Sequence, residues 1–307
     1  MASGDLDPRR ARAQLTRVLR EVFGERPRRV ERLAEGITNA VFRVSLDGDW
    51  VVWLNADPAK TRQFAKEQWA MERARRHGVP TPRVAQVGCT AEGLAYIVAE
   101  SVPGQPASRV GKRLPLLAEM GRCAARLHRI RTNGFGAELD PAQRARWAHR
   151  RWAGCLDDEL DAAGRLEILR RQRALPEAAW DELQASLDEM RRWRRPPVLQ
   201  HGDLRLKNVI ADAGGERVAA LIDWEDCRSA PGPHWDLSIA LHDLGVDEKE
   251  VFLDGYGLTP AQFATGARYV RALNLLNYAW AIHESRDERR LAWMRLRLKG
   301  GFDLTAA

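Results

Sequence analysis

The chain has 307 residues, 45% hydrophobic and 30% charged, with 49 Lys and Arg against 42 Asp and Glu and a formal net charge of +7. That length holds one large domain or two lobes around an ample core, and the composition excludes a disordered or collagen-like chain. No apolar run approaches the roughly 20 residues that span a bilayer, so no membrane partner is expected.

The N-terminus, MASGDLDPRRARAQL, has no apolar signal region, and the expected location is the cytoplasm. Excess positive charge lies before residue 200 as arginines dispersed along helices, without a recognised nucleic-acid motif, so no nucleic-acid partner is expected. Cys89, Cys123, Cys155 and Cys227 are scattered without C-x-x-C pairs and read as reduced, mostly packing cysteines.

In chain order, residues 9–23 place Leu15, Val18, Leu19 and Val22 on one helical face. Three strand-like runs follow at 28–34, 40–46 and 50–55, the last two joined by an Asp47-Gly48 hairpin turn. A helix is expected over 64–78, ahead of Pro80 and Pro82. After a further strand, AYIVAES (95–101) is a strand leading into VPGQPAS. Pro103-Gly104 marks the lobe boundary, dividing the chain into 1–102 and 103–307. The remainder reads as largely helical. Helices are expected over 113–130 (ended by NGFG), through the charged stretch 141–175, over 176–195 up to Pro196-Pro197, in HWDLSIALHD, and within 265–298. DDELD (157–161) is a compact acidic cluster of the kind usually found on a solvated helix face.

The chemistry concentrates in residues 198–226, VLQHGDLRLKNVIADAGGERVAALIDWED, an apolar approach, a polar loop and two short strands around a Gly-Gly turn. Asp203 falls on the loop, where a carboxylate can meet a substrate hydroxyl. Asn208 and Asp223 offer hard oxygens suited to magnesium shared with phosphate. One group to orient a nucleophile and two to hold the metal make up a phosphoryl-transfer site.

The spacing H-x-D-x-x-x-x-N resembles the catalytic loop of protein kinases. HGDLRLKN, with Gly202 where protein kinases carry arginine, is more similar to the aminoglycoside phosphotransferase and choline kinase family. LIDWED and APGPHWDLSIAL extend that resemblance, with Asp223 matching the metal aspartate and Asp236 a structural aspartate. The resemblance implies a two-lobed, protein-kinase-like α+β fold, with a small antiparallel-sheet N-lobe and a larger, mainly helical C-lobe. It implies an enzyme using ATP or GTP with Mg²⁺ to phosphorylate a hydroxyl of a small molecule, an aminoglycoside-type antibiotic or related metabolite, as a monomer or homodimer. Asp203 and Arg205 would be catalytic, and Asn208 and Asp223 would hold the metal. His201 would brace the loop. AEGITNA (34–40) would be the nucleotide-covering loop, bringing Gly36, Thr38 and Asn39 to phosphate. Glu100, Ser101 and Val102 would form the hinge that reads the base edge. Acidic residues of inserted helices often hold cationic antibiotics in this family, which gives DDELD a second reading.

One position departs from the pattern. The family ends its third strand with Lys or Arg, paired with a helix glutamate. Here the matching residues are Trp53 and Glu67. Arg43, Lys60 or Lys66 would have to replace the cation, or the clamp is absent, which leaves a nucleotide-binding pseudokinase as the alternative. A protein kinase is disfavoured because no A-P-E follows Asp223. A metal-dependent hydrolase would need His201, Asp203, His234, Asp236, His242 and Asp243 to form one cluster.

Overall fold

The computed structural model describes residues 7–33, 39–140, 145–173, 175–285, 287–289 and 291–292. Helix α1 (Pro8–Phe23) starts where the Asp7 carboxylate accepts the Arg10 N–H at 2.9 Å and ends at Gly24, φ 73°. Its buried stripe of Leu15, Val18 and Leu19 lies against a five-stranded antiparallel sheet of order β1-β2-β3-β5-β4. The strands are β1 (Arg29–Leu33), β2 (Ala40–Leu46), β3 (Gly48–Asn55), β4 (Val84–Cys89) and β5 (Ala95–Glu100).

Strand periodicity divides the side chains between two faces. Phe42, Val44, Val52, Leu54, Tyr96 and Val98 face α1. Val41, Trp53 and Ile97 stand in register on the opposite face, where Trp53 and Ile97 join α2 (Lys60–Arg76) through Phe64 and Met71.

The chain leaves this sheet after Glu100, and β6 (Gln105–Pro106) joins a second sheet with β10 (Val209–Ala211) and β11 (Val218–Leu221). Helix α3 (Leu114–Leu127) packs closely on α8 (Val246–Tyr256). Glycine permits that approach: a Cβ on Gly121 would overlap the Phe252 carbonyl, and one on Gly255 the Ala118 carbonyl. A third sheet, of order β8-β7-β12-β9, contains β7 (Phe135–Asp140), β8 (Arg146–His149), β9 (Pro197–Gln200) and β12 (Arg228–Pro231). Around it lie the short α4 (Trp152–Gly154), α5 (Ala162–Arg171), α6 (Ala178–Arg191), α7 (His234–Ala240) and the long α9 (Pro260–Glu284). The fold is α+β, two-lobed and protein-kinase-like. Among the described residues no helix is long and apolar enough to cross a membrane. All four cysteines are free, and Cys123, Cys155 and Cys227 are buried.

The sequence expectation fails in one stretch. Part of the expected helical stretch 141–175 is strand β8, because Trp147 pairs with Leu139 across the sheet and is buried edge-on against Trp69. Phe135 likewise enters β7 instead of merely ending a helix. Tertiary packing of aromatic side chains decides these segments over local helix preference. DDELD is divided as well. Residues Cys155–Glu159 form a π-helical turn, and Asp161 then caps α5 by accepting the Gly164 N–H at 3.1 Å. Helix α7 stops at Ala240, which places His242 and Asp243 beyond its end.

One buried cation ties α2 to the second half of the chain. Lys66 donates to the carbonyls of Glu225 (2.7 Å), Ala137 (3.1 Å) and Cys227 (3.1 Å). Replacing it with methionine leaves those acceptors without a partner, at a cost of about 2–4 kcal/mol. We therefore expect Lys66→Met to lower the urea midpoint by that equivalent; an unchanged midpoint would show that the cage does not hold the halves together.

Candidate active site

Strand β9 delivers the chain to the catalytic loop, and a buried carboxylate shapes the loop from below. Asp236, on α7 and wholly inaccessible, accepts the successive backbone N–H groups of His201 (2.7 Å) and Gly202 (2.8 Å) and a third bond from His128 Nε2 (3.0 Å). Burial pushes the Asp236 carboxyl up, but the His128 hydrogen bond and charge, with the backbone donors, outweigh it and leave it below the usual range. Gln200 receives the Asp236 N–H at 3.1 Å, and Trp235 Nε1 donates to the Gly202 carbonyl at 3.1 Å.

His201 is equally buried. Its Nε2 donates to the Ile222 carbonyl at 3.0 Å, its Nδ1 faces the Asp203 N–H, and its ring lies on Trp224. Burial depresses its pKa, so it is a neutral brace between the loop and the segment ahead of Asp223. Gly202 has φ 90°, and a Cβ there would overlap the Asp226 carbonyl oxygen. This close approach of two backbones is the physical reason that no arginine, or any other side chain, stands at that position.

The three oxygen-bearing residues converge. Asn208 closes a 3₁₀ turn (Leu206–Asn208), and its Nδ2 donates to the Asp203 carbonyl at 2.8 Å and to Asp203 Oδ2 at 2.9 Å. Both bonds use the amide nitrogen, which leaves the oxygen for a cation. The Asn208 carbonyl accepts the Ile222 N–H at 2.9 Å and so sets Asp223 beside it. Asp223 has φ 63°, a left-handed conformation that non-glycine residues adopt mainly under constraint, often at functional sites.

Arg205 Nε lies 2.8 Å from Asp203 Oδ1, an ion pair off the hydrogen-bond axis, and its Nη1 is 3.8 Å from Asp243. Lys207 Nζ is 2.8 Å from Asp203 Oδ2. Burial pushes the Asp203 carboxyl up, but Lys207 and Arg205 prevail and hold it below its ordinary value. Asp223 behaves oppositely. Although it opens to solvent, the surrounding protein and then the charge of Glu225 raise it to about 6, against the pull of Lys207.

A divalent cation fits this donor set. Asp223 and the Asn208 oxygen are hard ligands, and the local excess of carboxylates favours an added cation. Among the described residues no three His, Cys, Asp or Glu side chains form a metal cluster, so the hydrolase reading has no site. His234 instead packs between Trp193 and Tyr269, and His242 against Tyr278.

The α2 side of the cleft answers the Trp53 question in part. Trp53 is partly buried and packs against the main core. Glu67 is half-buried, with Gln63 Nε2 at 3.3 Å; the same nitrogen is 3.4 Å from Glu225, and Lys60 Nζ donates to Gln63 Oε1 at 2.6 Å. Glu67 is therefore not a solvated helix charge. Burial raises it to about 8, Lys66 opposes the rise, and Glu225 and Asp223 add to it. Of the proposed replacement cations, Lys66 is held by its three carbonyls and Lys60 by Gln63. Arg43 is exposed in β2 opposite Val51, with no bond to these groups.

Gly36 and Thr38 lie outside the described residues. Asn39 accepts from Asn55 Nδ2 at 2.7 Å, which anchors the exit of the expected phosphate loop to β3. At the expected hinge, the Glu100 and Ser101 N–H groups bond the Arg83 and Asp49 carbonyls, both at 2.9 Å, and Val102 follows outside the sheet. The acidic cluster DDELD is largely engaged within the protein. Asp157 pairs with Arg191 at 2.9 Å, while Glu159 meets Arg228 and accepts the Ala137 N–H at 2.9 Å.

The sequence reading missed Lys207, His128 and Gln200. Lys207 carried one signal, its place immediately before Asn208. Nothing local marks His128 as a partner of Asp236.

A family model of the phosphotransferase enzyme family matches residues 29–272. The chain belongs to that family. An aminoglycoside 3'-phosphotransferase of Streptomyces fradiae is 31% identical over 232 residues, covering 71% of this chain and 74% of the relative. One of Streptomyces ribosidificus is 32% identical over 197 residues, covering 59% and 69%. Among solved structures, aminoglycoside phosphotransferase APH(4)-Ia has a TM-score of 0.69 at 17% identity, covering 94% of this chain and 97% of its own. The GDP complex of aminoglycoside 2'-phosphotransferase-IIIa has a TM-score of 0.63 at 17% identity, covering 93% and 96%. These two likenesses establish the fold. The phosphotransferase is a small-molecule kinase; Asn208 bonds Asp203, and the Ile222 N–H to the Asn208 carbonyl sets Asp223 beside them.

Glu67 makes the stability of this phosphotransferase pH-dependent. A carboxyl held near 8 when folded, above its unfolded value near 4.5, contributes stability that is fully present below about 4.5 and lost as pH rises through 8. Glu67→Gln removes the titration. In thermal melts without nucleotide or metal, the variant should gain on the wild type steadily from pH 5 to 8.5. A constant difference across that range would mean that Glu67 titrates normally.

Proposed function

We propose that this phosphotransferase moves the γ-phosphoryl group of ATP or GTP to a hydroxyl of an aminoglycoside-type antibiotic or a closely related metabolite, in the cytoplasm. The observation that carries the reading is Asp203 held by Asn208, beside Asp223, on a loop whose backbone is fixed from beneath by Asp236. The two streptomycete relatives support the acceptor class.

In this reading Asp203 accepts a hydrogen bond from the acceptor hydroxyl and takes its proton late. Its depressed pKa keeps it ionised and able to orient that hydroxyl. Asn208 and Asp223 hold Mg²⁺, which when bound neutralises charge on the β- and γ-phosphate oxygens. Gly36, Thr38 and Asn39 cover the phosphates through backbone N–H and side-chain groups. The Glu100 carbonyl and Val102 N–H read the base edge, and Arg43 lies on the cleft face of the sheet above it. Arg205, paired with Asp203 and near Asp243, adds positive charge at the reacting centre. A cationic acceptor would meet Asp226 and Asp243 at this mouth. DDELD is less suited to it, since Asp157, Glu159 and Asp161 already have protein partners.

The pseudokinase alternative rests on Trp53 alone, and the family match and retained metal residues give it no support. The test is a panel of aminoglycosides, macrolides and amino alcohols with ATP and GTP, followed by nucleoside diphosphate release and product mass. One acceptor should stimulate release well above background, and Asp203→Ala should reduce that transfer by about 10³-fold or more. Equal transfer by wild type and Asp203→Ala would remove Asp203 from the mechanism.

A further inference from the structure

Trp53 stands where the resemblance places a strand cation, and the lysines of α2 that could replace it are otherwise engaged. Trp53, partly buried, packs against the core, Lys66 is caged by three carbonyls, and Lys60 is held on Gln63. The reacting centre nevertheless has a cation of its own. Lys207 reaches it from the 3₁₀ turn of the catalytic loop. Its ammonium lies 2.8 Å from Asp203 Oδ2, the same oxygen that accepts from Asn208 Nδ2. Its side chain is 59% exposed, so the ammonium remains open to solvent at the loop.

The ammonium thus lies against the carboxylate that would orient the acceptor hydroxyl, on the loop that also carries Asn208. Arg205 meets Asp203 from the other oxygen, and its Nη1 lies 3.8 Å from Asp243. Lysine suits the role, because a compact ammonium on a flexible stem can exchange a carboxylate for phosphate oxygens.

We propose that Lys207 is a catalytic residue that contacts the γ-phosphate of the bound nucleotide and supplies, from the catalytic loop, the positive charge that the third strand of this chain no longer carries. The inference rests on the phosphoryl-transfer reading of Asp203, Asn208 and Asp223. In the step it serves, the acceptor oxygen bonds to the γ-phosphorus. The bond to the bridging oxygen breaks, with its electron pair leaving on the nucleoside diphosphate, and the hydroxyl proton passes to Asp203. Lys207 gains and loses no proton; it offsets charge on the γ-phosphoryl oxygens as that bond breaks.

Equilibrium binding separates this role from a structural one, because only the nucleoside triphosphate has a γ-phosphate. Dissociation constants for ATP and ADP, each with Mg²⁺, would be measured for wild type, Lys207→Met and Lys207→Arg, with thermal melts to verify folding. Lys207→Met should weaken ATP by about tenfold and ADP by less than about twofold, and Lys207→Arg should retain much of the preference. If an acceptor is in hand, kcat for Lys207→Met should fall further than ATP affinity, while the acceptor KM stays near its wild-type value. An unchanged ATP-to-ADP ratio in a folded Lys207→Met protein, or equal weakening of both nucleotides, would overturn the proposal. A wild type that binds neither nucleotide would instead reject the underlying site reading, and this inference with it.

Discussion

Asp236 determines the geometry on which the site depends. Its carboxylate lies in the core without solvent and accepts two consecutive backbone N–H groups, those of His201 and Gly202, along with His128 Nε2. Two adjacent donors aimed at one acceptor force the loop to turn sharply, and the turn presents Asp203 outward. The neutral His201 ring then bridges to the Ile222 carbonyl, which ties the loop to the segment carrying Asp223. The positions of Asp203 and of the segment leading to Asp223 thus follow from a buried hydrogen-bond network.

Around this centre the charges are distributed unevenly. Trp53, partly buried, packs against the core from the third strand, and α2 carries its own lysine one residue before the glutamate. Lys66 serves backbone carbonyls and so fixes α2 against the loop of Glu225 and Cys227. Glu67, without a strand partner, is raised first by burial, and the charges of Glu225 and Asp223 add to the rise. Cations are instead concentrated on the catalytic loop, where Arg205 and Lys207 hold Asp203 from its two oxygens.

Local signals were legible where chemistry and turn geometry coincide. The Asp47-Gly48 hairpin, the amphipathic α1 and the strand pair around the Gly-Gly turn all form at or near their expected positions. Asp203, Asn208 and Asp223 converge as their spacing implied. The stretch after Asn133 was misread because β7 and β8 are strands only by virtue of partners: Leu139 with Trp147, and Trp147 with Trp69. DDELD looked like a free acidic face, but the arginines that occupy it come from α6 and β12, which are distant in sequence.

The sequence by itself determined the family, the two-lobed α+β class and the identity of the three oxygen-bearing residues, because motif spacing, turn residues and strand alternation act over short range. Only the tertiary structure decided which cation serves which group, since a charged side chain's role depends on neighbours separated by many residues along the chain. Lys66 could be assigned to backbone carbonyls, His128 to Asp236 and Lys207 to the reacting centre only once the fold had brought those partners within hydrogen-bond distance.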